Sequence, residues 1–580
     1  MPRRFQPGRP IIAYGVNCMA AATLWPSVKA HKGLTLVITR STDDAIRLEQ
    51  AMRFFLGLAT GEDDPAVSED GLELLSLPDW ETLPYDLFSP HQDITSRRIR
   101  TLHRLPSTRH GVLVVPARTL MHRLPPVSYL QGNTLVLEVG QSLDIDSWRM
   151  QLEAAGYRHA ENVYEHGEYA VRGSILDIFP MGAGQPYRID LFDDEIETLR
   201  TFDPETQRSI NRVGHIELLP AYEFPWHKEA RSGFRSRWFE QFPNSGKDTP
   251  IYQDVTHGIT PPGIEYYLPL FFDKTATLFD YLPGTTHVFT AAELNEAVSH
   301  FDSETRSRYE DRRHDRLRPI LPPGLLFLQQ DELFGHLKAF PRVSISSETS
   351  GAAGSFNCPS ETLPDIAMDG RAADPAGRLR RFLREFSGRV LICAESSGRR
   401  EALIEHLGDQ GLELETLPGW QAFLENSGCP LGITVAPMEQ GLLLPKHSLA
   451  LITETALFGE RVLQRRRREK PTQADDTGFR DLSELRIGAP VVHIDHGVGR
   501  YRGLETITVE GEASEFLKLE YAGGSKLYVP VSSLHLISRY AGNDTEHAPL
   551  HKLGTDRWST TKQKALEKIR DTAAELLDVY

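Results

Sequence analysis

Between residues 491 and 542 the chain reads VVHIDHGVGRYRGLETITVEGEASEFLKLEYAGGSKLYVPVSSLHLISRYAG. Strand-length apolar runs and turn residues alternate too quickly here for helices, and the spacing predicts a small twisted β-barrel. Val491, Val492 and Ile494 open a strand, and Gly497 and Gly499 permit a tight bend. Residues 504–509 and 516–521 are strand-length runs separated by a polar, glycine-containing turn. Gly523-Gly524 is a second hairpin turn, leading into residues 526–531. Pro530 has no amide to donate, so this last strand is expected at an edge. No catalytic constellation lies inside the stretch. A compact barrel without chemistry is a docking module, which turns the question from reaction to partner.

The rest of the chain cannot share that one core. At 580 residues it needs three to five domains. A formal charge of −16 excludes a chain that coats nucleic acid over its whole surface, although a local basic patch stays open. Cys18, Cys358, Cys393 and Cys429 are too scattered for a disulfide framework or a zinc cluster, which fits a reducing, cytoplasmic setting. No apolar run reaches the ~20 residues of a membrane span, and MPRRFQPGRP at the start carries no apolar signal core, so no membrane partner is expected.

Residues 34–39 (LTLVIT) and 111–116 (GVLVVP) are apolar at almost every position, as strands covered on both faces require. Helical spacing follows at 43–56, and 119–123 opens a helix, giving an α/β layer with an exposed acidic loop at 61–71. From Thr134 the pattern changes to short strands at 135–139, 174–179, 187–192 and 196–201, an α+β domain inserted into that layer. The layer resumes over 221–345, with a strand at 287–290. A Gly/Pro-containing linker at 346–376 precedes a small α/β domain: helix 378–385, strand 389–394, helix 399–407, strands 432–436 and 448–452. Residues 461–470 are basic, and a flexible segment leads to the barrel. Residues 555–580 form an amphipathic helix with Trp558, Ala565, Ile569 and Leu576 near one face, and it stops without a capping signal, as in a piece of something longer.

The first α/β layer suggests a nucleotide-binding core, but the loop after its first strand, residues 13–20, has one glycine and no lysine. Phosphates need a glycine-rich backbone, a lysine, and a hydroxyl for Mg²⁺. Gly246-Lys247 is followed by Asp248 in a polar loop, so no ATP site is read here. Asp193-Asp194-Glu195 reads as a solvated turn rather than a metal box, and His493 and His496 as packing or hydrogen-bonding groups, since two ligands do not make a zinc site. Arg465 to Arg468 are either a solvated run or a phosphate contact. There is no GxSxG and no reactive cysteine context, so no catalytic, cofactor or metal residue is assigned. In the inserted domain, alternation puts Arg188 and Phe192 on one face of one strand, with Arg172 nearby: either an incidental exposed face or the composition of a protein-binding hot spot.

HGVGRY at 496–501 and KLYVPVSSLHLISRY at 526–540 resemble the RNA-polymerase-interacting domain of the bacterial transcription-repair coupling factors, with related Tudor-like barrels in the CarD family. DWETLPYD at 79–86, SPHQD at 89–93, HGEYAVRG at 166–173, PYRIDLFDDEI at 186–196 and GIEYYLPLFF at 263–272 resemble the same family's module similar to the repair protein UvrB. The resemblance covers nearly the whole chain and is least distinctive at about 356–462. It implies a multidomain α/β and α+β protein: a degenerate helicase-like layer over 1–133 and 221–345, an inserted UvrA-binding domain at 134–220, a linker at 346–376, a small α/β domain at 377–462, a linker at 463–482, the barrel at 483–550, and the start of a connector helix at 551–580.

The resemblance further implies an adaptor for transcription-coupled repair. It docks on the β subunit of RNA polymerase stalled at damage, through an apolar residue matching Ile507, and recruits UvrA through residues matching Arg172, Arg188 and Phe192, an exposed surface. The family's ATPase loop is lost from the UvrB-like module, and its DNA-clamping hairpin is missing, since 94–104 carries no aromatic-rich insertion. The family's motor, with its ATP, Mg²⁺ and most DNA contact, is expected beyond Tyr580. Other readings are a cryptic ATPase or nuclease, against which the missing lysine and ungrouped carboxylates speak, and a CarD-type regulator of RNA polymerase without a repair role.

Overall fold

The computed structural model describes residues 11–14, 28, 30–58, 66–67, 71–243, 247, 249–346, 356–357, 361–369, 374–438, 440–458, 487–493, 496–509, 512–530, 537–539 and 550. Residues 15–20 of the loop read at 13–20, Gly246 and Asp248, Arg465 to Arg468 and the terminal helix expected over 555–580 lie outside them. The chain divides into two units, 1–462 and 463–580.

Strands β1 (Ile11–Tyr14), β2 (Leu34–Thr39), β3 (Ala66–Val67), β4 (Glu73–Ser76) and β5 (Gly111–Pro116) open the first unit. The chain then builds β6 (Leu135–Glu138), β7 (Arg158–His159), β8 (Glu168–Arg172), β9 (Ile175–Ile178), β10 (Tyr187–Phe192), β11 (Glu195–Phe202), β12 (Ser209–Val213) and β13 (His215–Leu218). It returns with β14 (His287–Ala291), β15 (Arg342–Ser346) and β16 (Phe356–Asn357). The early and late strands form one eight-stranded sheet, β16-β1-β15-β14-β2-β5-β4-β3, parallel except at β3–β4. Strands β7 to β12 form a separate six-stranded sheet, and β6 pairs with β13. Residues 66–67, read from sequence within a loop, pair with β4.

Alternation splits each central strand between two cores. Leu34, Leu36 and Ile38 of β2, with Leu113 and Val115 of β5, face the larger core. Val37, Val112 and Val114 face the other side, under the helix Thr42–Leu56. That helix starts where the Ser41 side chain accepts from the Asp44 N–H and stops at Gly57, at φ 70°.

Within the same core lie residues of a further sheet. Strands β17 (Arg389–Ala394), β18 (Glu415–Thr416), β19 (Leu431–Val435), β20 (Leu442–Leu444) and β21 (Leu449–Thr453) are ordered β18-β19-β17-β21-β20. Its Leu391 and Cys393 cluster with Trp420 and Phe423, and Trp420 meets Phe55 edge-on at 5.2 Å between ring centroids. The small α/β sheet is therefore packed onto the helix Thr42–Leu56 rather than tethered at a distance.

A buried charge pair ties the large sheet to the chain emerging from β13. Arg98, on the helix Gln92–Arg104, is 0% exposed. Its Nε and Nη2 donate to the two oxygens of Glu223 at 2.5 and 3.2 Å, and its Nη1 donates to the Pro78 carbonyl at 2.8 Å. Trp80 lies beside the guanidinium, 5.3 Å from ring centroid, and donates its indole N–H to Glu223 at 3.4 Å. Nearby, Ser89 donates to buried Glu265 at 2.8 Å while accepting from the Gly263 N–H, and burial pushes Glu265 up to about 7.

In the second unit, β22 (Pro490–His493), β23 (Gly497–Val509), β24 (Glu512–Glu520), β25 (Lys526–Pro530) and β26 (Ile537–Arg539) form an antiparallel sheet ordered β25-β24-β23-β22-β26. Val491, Tyr501, Leu517, Leu519, Tyr521, Val529 and Ile537 make its core. Two expectations are corrected. Gly499 does not bend the chain but lies inside one 13-residue strand, whereas Gly497, at φ 77°, ends the short reversal between β22 and β23 as expected. Gly499 is there because the Tyr521 ring stands 3.0 Å from where a Cβ would be. The Pro530 strand is at an edge as expected, but it is not the last, since β26 follows at the other edge.

Two predictions follow from the buried charges. Arg98→Met alone should cost about 3–5 kcal/mol of stability by leaving Glu223 unpaired, and the double variant with Glu223→Leu should recover part of that loss in urea unfolding. Glu265 has a folded value near 7 against 4.5 when free, so folding favours its protonated form. Its contribution is full below about pH 4.5 and is lost as pH rises towards 7; Glu265→Gln should flatten that fall in thermal midpoints measured between these limits.

Candidate functional site: an arginine face on the six-stranded sheet

The strands β12-β11-β10-β9-β8-β7 are antiparallel except β7–β8. Tyr169, Leu176, Ile178, Ile189, Leu191, Ile196 and Leu199 turn one face into the larger core. Alternation leaves Arg172, Asp177, Arg188, Asp190, Phe192, Thr198, Arg200 and Arg212 on the other. The three residues singled out in the sequence thus share a face. At the β8–β9 turn Gly173 adopts φ 63°, a conformation costly for other residues, and this tight turn sets Arg172 opposite Ile175, two residues from Asp177.

Asp177 organises this face. It is 0% exposed, and a carboxylate so placed needs full pairing. Arg188 supplies a fork: Nε donates to one oxygen at 2.7 Å and Nη2 to the other at 2.9 Å. Its Nη1 donates to the Gln207 carbonyl at 3.1 Å, and the guanidinium lies 4.8 Å from the Phe202 ring centroid. Hydrogen bonding to Asp177 raises the Arg188 guanidinium above its ordinary value. Arg172 pairs with the same carboxylate and donates to Asn162 Oδ1 at 3.3 Å.

This revises the expectation of open arginine forks. Arg188 is 16% exposed and Arg172 45%, both committed to an internal acid, while Phe192 is 71% exposed. Sequence reading missed Asp177, whose signal was a lone acid inside the apolar run ILDIF, and Arg200 and Arg212, whose place depends on strand register. Asp193-Asp194 is the β10–β11 turn, with Asp193 at φ 51°.

In the second unit, Ile507 lies on β23 opposite Ser514; its side chain is outside the described residues. Glu505, two residues earlier, pairs with Lys518 at 2.7 Å. His493 is buried, with its ring 4.7 Å from that of His496. Among the described residues, no group of three or more His, Cys, Asp or Glu is placed to hold a metal, and no helix is long and apolar enough to cross a membrane.

Because Arg188 neutralises a buried carboxylate, Arg188→Glu would set two negative charges together. It should lower stability by about 3–5 kcal/mol in urea unfolding, whereas half-exposed Arg172→Ala should cost about 1 kcal/mol. A variant at position 188 that melts like the parent would contradict the clamp.

Comparison with known proteins agrees with this layout. Residues 135–224 match the model of the UvrB interaction domain, 382–457 that of the MFD, D3 domain, and 485–541 that of the CarD-like/TRCF RID domain. The transcription-repair-coupling factor of Escherichia coli (strain K12) is 46% identical over 564 residues, covering 97% of this chain and 48% of the relative. That of Haemophilus influenzae is 45% identical over 554 residues, covering 95% and 47%, and that of Bacillus subtilis 27% over 541, covering 90% and 45%. The chain spans about half the length of the curated relatives it matches. Three family domains in order, and identity sustained from the large sheet through the second unit, make the chain a member of the transcription-repair-coupling factor family that corresponds to its N-terminal portion.

Proposed function

We propose that this chain is a two-ended adaptor in transcription-coupled DNA repair. The six-stranded sheet binds UvrA through the face of Arg172, Arg188 and Phe192. The five-stranded sheet of the second unit docks on the RNA polymerase β subunit at a surface that includes Ile507. The observation that carries the reading is Phe192, a large apolar side chain 71% exposed beside a preorganised arginine face, inside the segment that matches the UvrB interaction domain. An exposed aromatic next to arginines is what a protein-binding hot spot requires. On this reading the chain binds without chemistry: no nucleotide or metal cofactor is assigned to it, it acts in the bacterial cytoplasm, and ATP-driven movement on DNA is not attributed to its residues.

The polymerase end is supported by the match over 485–541 and by strand parity. Leu517 and Leu519 are core, and Glu505 is ion-paired to Lys518, which stands between them on the opposite face. Ile507 stands at the parity of Glu505.

The two ends should fail independently. Phe192→Ala should weaken UvrA by at least tenfold in a titration while leaving pull-down of the β subunit intact. Ile507→Arg should abolish the polymerase interaction with an unchanged thermal midpoint and normal UvrA binding. A folded Ile507→Arg variant that still captures polymerase, or a parent chain without affinity for UvrA, would refute the corresponding half.

A further inference from the structure

Register across the six-stranded sheet sets Arg188 of β10 opposite Arg200 of β11, and Arg200 opposite Arg212 of β12. Like charges directly opposite on neighbouring strands destabilise a sheet. The first arginine of this row is neutralised by Asp177. Arg200 is held more loosely: its Nη2 lies 3.6 Å from Asp190 Oδ2, an oxygen that also accepts a 2.6 Å bond from Thr198, and its Nε is buried without a hydrogen-bond partner. Arg212 is exposed on the edge strand, and among the described residues no carboxylate pairs with it. Asp177 and Asp190 stand on this face on β9 and β10, Asp193 and Asp194 lie in the β10–β11 turn, and β12 carries no acid. The positive charge of the face is therefore least compensated towards the β12 edge, at Arg212, with Arg200 only loosely paired beside it.

We propose that Arg200 and Arg212 are the residues that read the partner's carboxylates, and that Arg172 and Arg188 chiefly hold the sheet in shape for them. The occupant is an acidic protein surface presenting at least two carboxylates, set against strands about 5 Å apart. Arginine forks suit carboxylates, and Phe192 two residues beyond Asp190 gives the apolar anchor that a protein interface uses. This rests on the reading above that the sheet binds UvrA, and the experiment separates the two.

UvrA is titrated against the full chain and its Phe192→Ala, Arg200→Ala, Arg212→Ala and double-arginine variants at low and moderate salt, with duplex DNA as a second titrant. Each arginine variant should weaken UvrA roughly tenfold, the double variant more, with a shallower salt dependence. Arg212→Ala should melt no lower than the parent, because it relieves repulsion. If Arg200→Ala fails to fold, Arg212→Glu at the exposed edge carries the test, with a larger loss expected. If the arginine variants bind like the parent while Phe192→Ala does not, the inference falls and the proposed function stands. If they lose DNA rather than UvrA, the face reads phosphates and the inference falls. If the parent itself does not bind UvrA, both fall.

Discussion

One fully buried carboxylate, Asp177, fixes the character of the six-stranded sheet. Leaving such a charge unpaired costs several kcal/mol, so both neighbouring guanidinium groups are drawn onto it. The consequence is a face whose arginines are of two kinds. Arg172 and Arg188 are spent internally, and their geometry is stiff. Arg200 is held more loosely by Asp190 at 3.6 Å, and Arg212 has no carboxylate partner among the described residues. The two arginines that composition singles out thus also hold the sheet in shape, and the proposed binding face extends to Arg200 and Arg212, one and two strands further along.

The same logic recurs where the chain must cross between layers. Arg98 and Glu223 are 125 positions apart and both nearly inaccessible. Neither would be tolerable alone; together, with Pro78 and Trp80 completing the hydrogen bonds, they lock the helix Gln92–Arg104 to the strand exit after β13. In the small α/β domain half-exposed Arg399, on the helix Ser397–Asp409, closes on buried Glu454. The apolar cores set the layers, and these long-range pairs fix how the layers are joined.

Much of this was legible in the sequence because it is local. Residues 34–39 and 111–116 are apolar at almost every position and form central parallel strands. The β9–β10–β11 strands and their acidic turn followed from alternation and turn residues. Arg188 and Phe192 were placed on one face by counting in twos, and the structure keeps them there because the register irregularity after Asp190 skips a residue of β11, not β10. What was not legible is non-local. Nothing near Arg188 announces that its fork closes on Asp177, and the arginine row exists only once β10, β11 and β12 are aligned. Gly499 read as a bend because the Tyr521 ring that needs its missing Cβ comes 22 residues later.

The account turns on where a partner lands. Hydrogen–deuterium exchange of the full chain, with and without UvrA, reads this without any substitution. Slowed exchange should concentrate on Tyr187–Phe192, Glu195–Phe202 and Ser209–Val213, with the strands around Ile507 unaffected. Protection confined to other segments, with these three strands exchanging at the rate of the free chain, would contradict it.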